Sequence, residues 1–234
     1  MQRPFSKSLF SNGLIFAAPI MAFAFWLNQQ SNRPTLPDVT VAGLASEIAA
    51  PATRLDVRVW RLTVPEPRFG GLSALAHDEG ELVALTDSGV VLRFKPPVAT
   101  SQSLDVRFHD LPAGPGDGRR KSSRDSESLL RDPLGRGWWV GYETRHSLWL
   151  FDWGFTRSLG QRWLDVDWAR NKGAEALAAD QMGTVFALPE SGGNAVAADG
   201  GRGFAAPRGT ADAARLADGR LALLVRRISV RGFV

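Results

Sequence analysis

From residue 55 to 64 the chain alternates apolar and polar side chains, Leu55-Asp-Val-Arg-Val-Trp-Arg-Leu-Thr-Val64. That period of two predicts a half-buried β-strand, which Pro65-Glu-Pro67 ends. A longer pattern then recurs at residues 73–87, 127–143 and 175–190 and, more degenerately, at 212–226. Each copy has a short strand, a Gly turn containing Asp, a second apolar strand and a polar residue. The copies start 54, 48 and 37 residues apart, the range of a propeller blade of roughly 40 to 50 residues. Residues 89–94 and 147–152 follow their copies as the next strands of a meander. The expected fold is all-β and β-propeller-like, with an open β-sandwich as the alternative. Four copies and one N-terminal strand make about four to five blades, an incomplete ring with exposed strand edges. The expectation is therefore a truncated member of a longer family, or a ring closed by another molecule.

The start of the chain follows a different pattern. Arg3 and Lys7 precede an uncharged apolar run from Leu14 to Leu27, which predicts an N-terminal hydrophobic signal or anchor helix over residues 1–27. Ala22-Phe-Ala24 resembles a cleavage site, so a cleaved signal peptide and a retained anchor both fit. Residues 28–53 are polar and punctuated by Pro, and read as a linker to a domain over 54–234. The expected location is periplasmic or otherwise extracytoplasmic, with membrane contact only through the N-terminal segment.

Composition narrows the chemistry. With 234 residues, 44% of them hydrophobic, the chain can bury one substantial core. It has no cysteine, which excludes disulfides, thiolate metal sites and cysteine nucleophiles. His77, His109 and His146 form no paired zinc motif. The net charge of +4 owes three cations, Arg3, Lys7 and Arg33, to the leader and its flank, so no nucleic-acid partner is expected.

Equivalent residues of a meandering repeat face the same axis. The alignment makes Ser73, Glu127, Glu175 and Asp212 equivalent, and likewise Asp87, Glu143 and Glu190. Converging carboxylates raise one another's pKa unless a cation neutralises them, which points to a hard metal, Ca²⁺ first and Mg²⁺ second. Asp125 would join Glu127 on the same side of its strand, and Asn171 offers an amide oxygen. The competing reading is that these acids cap turns and tie blades together. Arg119, Arg120, Lys121 and Arg124 lie directly before the Asp125/Glu127 pair, where they would clamp a phosphate ester, or form a solvated loop. Ser73 lacks the glycine pattern of a nucleophile elbow, and Ser191 reads as a turn residue. The tryptophans between Trp138 and Trp168 read as packing between blades.

Phe69-Gly-Gly-Leu-Ser73, Asp125-Ser-Glu127-Ser-Leu129, Tyr142-Glu143 and Asn171-Lys-Gly-Ala-Glu175-Ala-Leu appear in that order. They resemble the FGGLSGL, D-x-E-x-L, E and N-x-G-x-E-A-L landmarks of the bacterial "esterase-like activity of phytase" family. The resemblance spans about residues 55 to 234 and implies an exported, phytase-like β-propeller with acidic residues around its channel and Ca²⁺ dependence. The densely acidic calcium-binding segments of alkaline propeller phytases have no counterpart here.

Two functions follow as expectations. In the first, Asp125, Glu127, Glu143 and Glu175 hold Ca²⁺ as the catalytic centre of a phosphoester or ester hydrolase, and Arg119, Arg120, Lys121 and Arg124 bind a small anionic ester substrate. In the second, the chain is a non-catalytic envelope propeller that binds a protein or glycan.

Overall fold

The computed structural model describes residues 37–49, 57–116, 123–229 and 232–233. Among them every regular element is a β-strand. The signal or anchor segment 1–27 and the cationic stretch 119–121 lie outside the described residues.

Strands β1 (Val39–Ile48) and β2 (Val59–Thr63) pair antiparallel. Then come β3 (Leu72–Asp78), β4 (Glu81–Thr86), β5 (Val90–Phe94) and β6 (Ser101–Asp110), which continue the same sheet in the order β2-β1-β6-β5-β4-β3. A second meander holds β7 (Ser126–Arg131), β8 (Trp138–Tyr142), β9 (Ser147–Phe151) and β10 (Ser158–Trp163). A third holds β11 (Ala174–Ala179), β12 (Val185–Pro189), β13 (Gly193–Ala197) and β14 (Arg202–Ala206). Strands β15 (Thr210–Arg215) and β16 (Leu221–Val225) form a two-stranded sheet, as do β17 (Ile228–Ser229) and β18 (Gly232–Phe233). The first strands of the repeats, β3, β7, β11 and β15, lie side by side in that order. The arrangement is all-β and propeller-like.

Strand β1 departs from the expected linker over 28–53. Its buried Gly43 and Ala45 alternate with exposed neighbours, and all of it except Glu47 and Ile48 pairs with β6 in an unbroken register. Small side chains on its inward face mute the hydrophobic contrast that marks a strand in sequence.

Position in the array explains each strand's composition. All five residues of β8 are buried, because this strand is covered on both faces, whereas β6 alternates exposed and buried residues. Between the first and second sheets, Val83, Leu85 and Val91 pack against Leu129, Val140, Phe151 and Trp138. Trp138 stacks on Phe155 at 6.0 Å and meets Trp153 edge-on at 5.8 Å. The next interface joins Trp139, Leu148 and Leu150 to Leu177, Val185 and Ala187. The last is built from Ala176, Ala178, Leu188 and Ala195, with Ala213, Leu221 and Leu223 against them. Tryptophan packing between sheets is thus as expected, except that Trp163 is 56% exposed. The other face of the first sheet is covered by the sheet's own curl. Ala84, Leu92, Phe94, Val106 and Phe108 share a core with Ala45 and Val64, and Trp60 and Leu62 pack against it.

A register shift recurs at one place in each first strand, between Leu72 and Ala74, Ser126 and Ser128, Ala174 and Ala176, and Thr210 and Asp212. The bulged residues are therefore Ser73, Glu127, Glu175 and Ala211. The sequence alignment that set Asp212 beside Glu127 and Glu175 is one residue off. Asp212 pairs with Leu224 as Ser128 pairs with Gly141 and Ala176 with Leu188.

Candidate functional site

The bulges lie at the end of the array where each first strand begins and its partner strand finishes. A bulge leaves one residue out of the ladder and re-aims its side chain, which is how Glu127 and Glu175 leave the sheet. Beside three of the four bulges, the residue after the second strand is held by a matching backbone bond. Asp87 N–H donates to Gly71 O at 2.8 Å, Glu143 N–H to Asp125 O at 2.8 Å and Arg226 N–H to Gly209 O at 2.7 Å. Glu190 follows β12 at the corresponding place. The accepting positions are Gly71, Asp125 and Gly209, so only the second sheet adds a side chain there. It therefore contributes three acids, Asp125, Glu127 and Glu143.

One carboxylate oxygen from each of these three residues lies within 4.8 Å of the others. Thr144 Oγ1 donates to Asp125 Oδ2 at 2.6 Å and holds that carboxylate in place. Burial, then the charges of Glu175, Asp125, Glu143 and Asp87, push the Glu127 carboxyl up to about 8. Glu143, only 9% exposed, is pushed up to about 7 by burial and by Asp125 and Glu175, partly offset by a hydrogen bond from the Gly173 backbone. None of the three forms an ion pair among the described residues.

Glu175 sits at the edge of this cluster, in a differently compensated half. Its Oε2 accepts from Arg226 Nη2 at 3.1 Å, while Lys172 Nζ donates to Glu190 Oε2 at 2.7 Å. Arg226 Nη2 also lies 4.0 Å from Glu190 Oε1. Burial raises the Glu175 carboxyl above its usual range, with Arg226 and Lys172 opposing and Glu190 reinforcing.

The donor set suits the implied metal. It contains only carboxylate oxygens, and burial, reinforced by the neighbouring carboxylates, raises the carboxyls of Glu127 and Glu143, a cost that a hard divalent cation would offset. Asp125, Glu127 and Glu143 are the residues that could hold a metal ion, with Glu175 at the edge of the group.

Other expected residues fall elsewhere. Arg124 is buried and its Nη1 donates to Leu111 O at 2.5 Å and Ala113 O at 3.0 Å, so its guanidinium fastens backbone instead of facing a ligand. Ser73 Oγ donates to Ser126 O at 2.7 Å, which links the first two repeats. Ser191 is exposed, and its hydroxyl donates to the neighbouring Gly192 carbonyl at 3.3 Å. Asn171 is exposed. His146 Nε2 lies 3.1 Å from Trp168 O, and no histidine joins the carboxylate cluster. Lys172 and Arg226 are the residues that sequence reasoning missed. Arg226 ends the fourth repeat where the others end on Asp87, Glu143 and Glu190, a cation in an acidic column.

No curated protein matches the chain. Several solved structures are similar to it. A protein of unknown function from Bacteroides caccae has 12% identity and a TM-score of 0.46 over 80% of this chain and 66% of its own. The extracellular domain of BT4673 from B. thetaiotaomicron has 15% identity and a TM-score of 0.45 over 70% of this chain and 22% of its own. Kluyvelomyces marxianus Hsv2 has 8% identity and a TM-score of 0.40 over 74% of this chain and 59% of its own. The chain spans less than two thirds of each of these structures, and no residue role follows from the likeness. Residues 67–211, more than half of the chain and including all four candidate carboxylates, match the family described as Phytase-like, esterase-like activity of phytase, and the chain belongs to that family.

Proposed function

We propose that the chain is an exported hydrolase of phosphate or carboxylic esters that works with a divalent cation, Ca²⁺ first, at Asp125, Glu127 and Glu143. The observation that carries this reading is the approach of those three carboxylate oxygens to within 4.8 Å of one another, without a paired cation among the described residues. A cation there would polarise the ester oxygen and acidify a water. The chain's own residues set the conditions for it. Thr144 orients Asp125, and the β7 bulge projects Glu127 toward Glu143. Burial and mutual repulsion raise the Glu127 and Glu143 carboxyls, so both would give up protons to hold a cation. Net hydrolysis adds water across the P–O or C–O bond and yields an acid and an alcohol. The hydrophobic N-terminal segment supports export.

The test is turnover of 4-nitrophenyl phosphate and 4-nitrophenyl acetate by the purified chain with Ca²⁺ or Mg²⁺ and with EDTA. Metal-dependent hydrolysis of either ester, lost in Glu127→Gln and Glu143→Gln, is expected. Absence of turnover in both series would sink the proposal.

The second reading is a non-catalytic envelope propeller that binds a protein or glycan. The observation favouring it is the ion pair between Glu175 of the third sheet and Arg226 of the fourth, which uses an acid of the mouth as a fastener. It expects Glu175→Ala to lower stability with no hydrolytic rate to lose.

A further inference from the structure

We infer that His146 is a positioning residue of the carboxylate centre: its imidazole pins the segment between β10 and β11 to the turn after β8, and so sets the Gly173 N–H against the Glu143 carboxylate. The inference rests on the metal-assisted reading of that site and adds a residue outside its ligand set.

The turn between the second and third strands closes in the same way in three repeats. Gly89 N–H donates to Thr86 O at 3.1 Å, His146 N–H to Glu143 O at 3.2 Å and Gly192 N–H to Pro189 O at 3.1 Å. Each closing residue has a left-handed backbone, with φ of 74°, 35° and 75°. In the first two repeats its carbonyl is also used alike. Gly89 O accepts from Leu111 N–H at 2.9 Å, and His146 O from Leu164 N–H at 2.8 Å. The first and third repeats thus place glycine where a side chain is strained, and the second places histidine. The imidazole carries a further cost, because its buried Nδ1 has no hydrogen-bond partner among the described residues. Glycine would serve the turn better. Strain held three residues after a candidate ligand points to a task for the side chain.

The contacts of the ring name that task. Nε2 lies 3.1 Å from Trp168 O, an oxygen that can only accept, so Nε2 carries the proton. The ring also meets the Trp168 indole edge-on at 5.8 Å. Trp168 and Leu164 pack against the core between the second and third sheets. The segment from 164 to 173 is therefore fastened to the turn at two points, through Leu164 N–H and Trp168 O.

That segment ends at Gly173, whose backbone comes up against both Glu143 and the ring. A Cβ there would lie 2.7 Å from Cα and O of Glu143 and 2.9 Å from His146 Nδ1. The Gly173 N–H bonds the Glu143 carboxylate, and Gly173 O accepts from Glu175 N–H at 2.9 Å. One glycine thus touches an acid of the second sheet and one of the third, and His146 fixes where it lies.

The test compares His146→Gly and His146→Gln in the full chain. Glycine relieves the strained turn but removes the bond to Trp168 O, whereas glutamine brings an N–H donor of similar reach. In metal-free His146→Gly, Tm is expected to hold or rise. Amide exchange at Gly173, followed by NMR, is expected to speed about tenfold while exchange in β8 stays as in the wild type. Calorimetry is expected to show Ca²⁺ affinity about tenfold weaker in His146→Gly and partly restored in His146→Gln. Unchanged Gly173 exchange in His146→Gly overturns the inference whether or not metal binds, and so does wild-type Ca²⁺ affinity in that variant. A lower Tm with faster exchange at Gly173 and in β8 alike marks a structural role and also overturns it. If Gly173 exchange alone speeds while the wild-type chain binds neither Ca²⁺ nor Mg²⁺, His146 positions Glu143 and the metal-assisted reading fails.

Discussion

Glu127 shows what the fold does to a single side chain. In the unfolded chain its carboxyl titrates near 4.5, and in the folded chain near 8. Between those values the native state keeps a proton that the unfolded state has lost. Stability of the metal-free protein therefore falls as pH rises through that window and levels off above it. Glu143, raised to about 7, adds a change of the same sign over a narrower range. Glu127→Gln removes the larger contribution. At pH 8 with EDTA the variant is expected to be more stable than the wild type by about 1 to 3 kcal/mol, a range that allows for partial solvent screening. Urea unfolding at pH 5 and pH 8 measures it, and a wild-type stability independent of pH would contradict the crowding. The acids themselves were legible in the sequence, and so was the pairing of Asp125 with Glu127. What was not legible was the division of labour. Asp125 meets Glu127 and Glu143 within one repeat, while Glu175 turns to Arg226 of the next, a contact between repeats that no local spacing encodes.

At the scale of the strand, the bulge is the device that makes the mouth. It was invisible in the sequence because one extra residue changes the register without disturbing the apolar pattern. The first three repeats carry a polar residue at the bulge, Ser73, Glu127 or Glu175, and so aligned correctly. The fourth carries Ala211, with Asp212 beside it, and the alignment slipped to the acid. Serine hydroxyls then tie neighbouring repeats. Ser73 Oγ donates to Ser126 O at 2.7 Å, and Ser128 Oγ to Ala174 O at 2.6 Å. Ser128→Ala is expected to cost about 1 to 2 kcal/mol, read as a drop in Tm of about 2 to 8 °C for a domain of this size. Gly141 leaves room for that bond, since a Cβ there would lie 2.2 Å from Ser128 Oγ and 3.1 Å from the Ala174 Cβ. Gly141→Ala should therefore destabilise more than Ser128→Ala does. An unchanged melting curve for both variants would remove the staple from the account.

Across the whole molecule the packing is graded. The interface of the first two sheets holds Trp138, Phe151 and Phe155, and that of the last two is mostly alanine. The propeller-like order was legible from repeat spacing because each blade carries its own turn signals. The free face of the first sheet was not, since its cover comes from β1, whose Gly43 and Ala45 are too small to announce a strand. This layout bears on how a metal would act on stability. Asp125, Glu127 and Glu143 all come from the second sheet, so the cation they hold need not bridge sheets, and Glu175 is already engaged by Arg226 from the fourth. Calcium is accordingly expected to stabilise by mass action on the folded state, about 2.7 kcal/mol at a free concentration one hundred times its Kd. The stabilisation should persist in Glu175→Gln and vanish in Glu143→Gln. Thermal melts at several Ca²⁺ concentrations distinguish the outcomes. If Glu175→Gln abolishes the calcium shift as completely as Glu143→Gln does, the cation is shared between the second and third sheets, and the metal centre extends to the Arg226 side of the mouth.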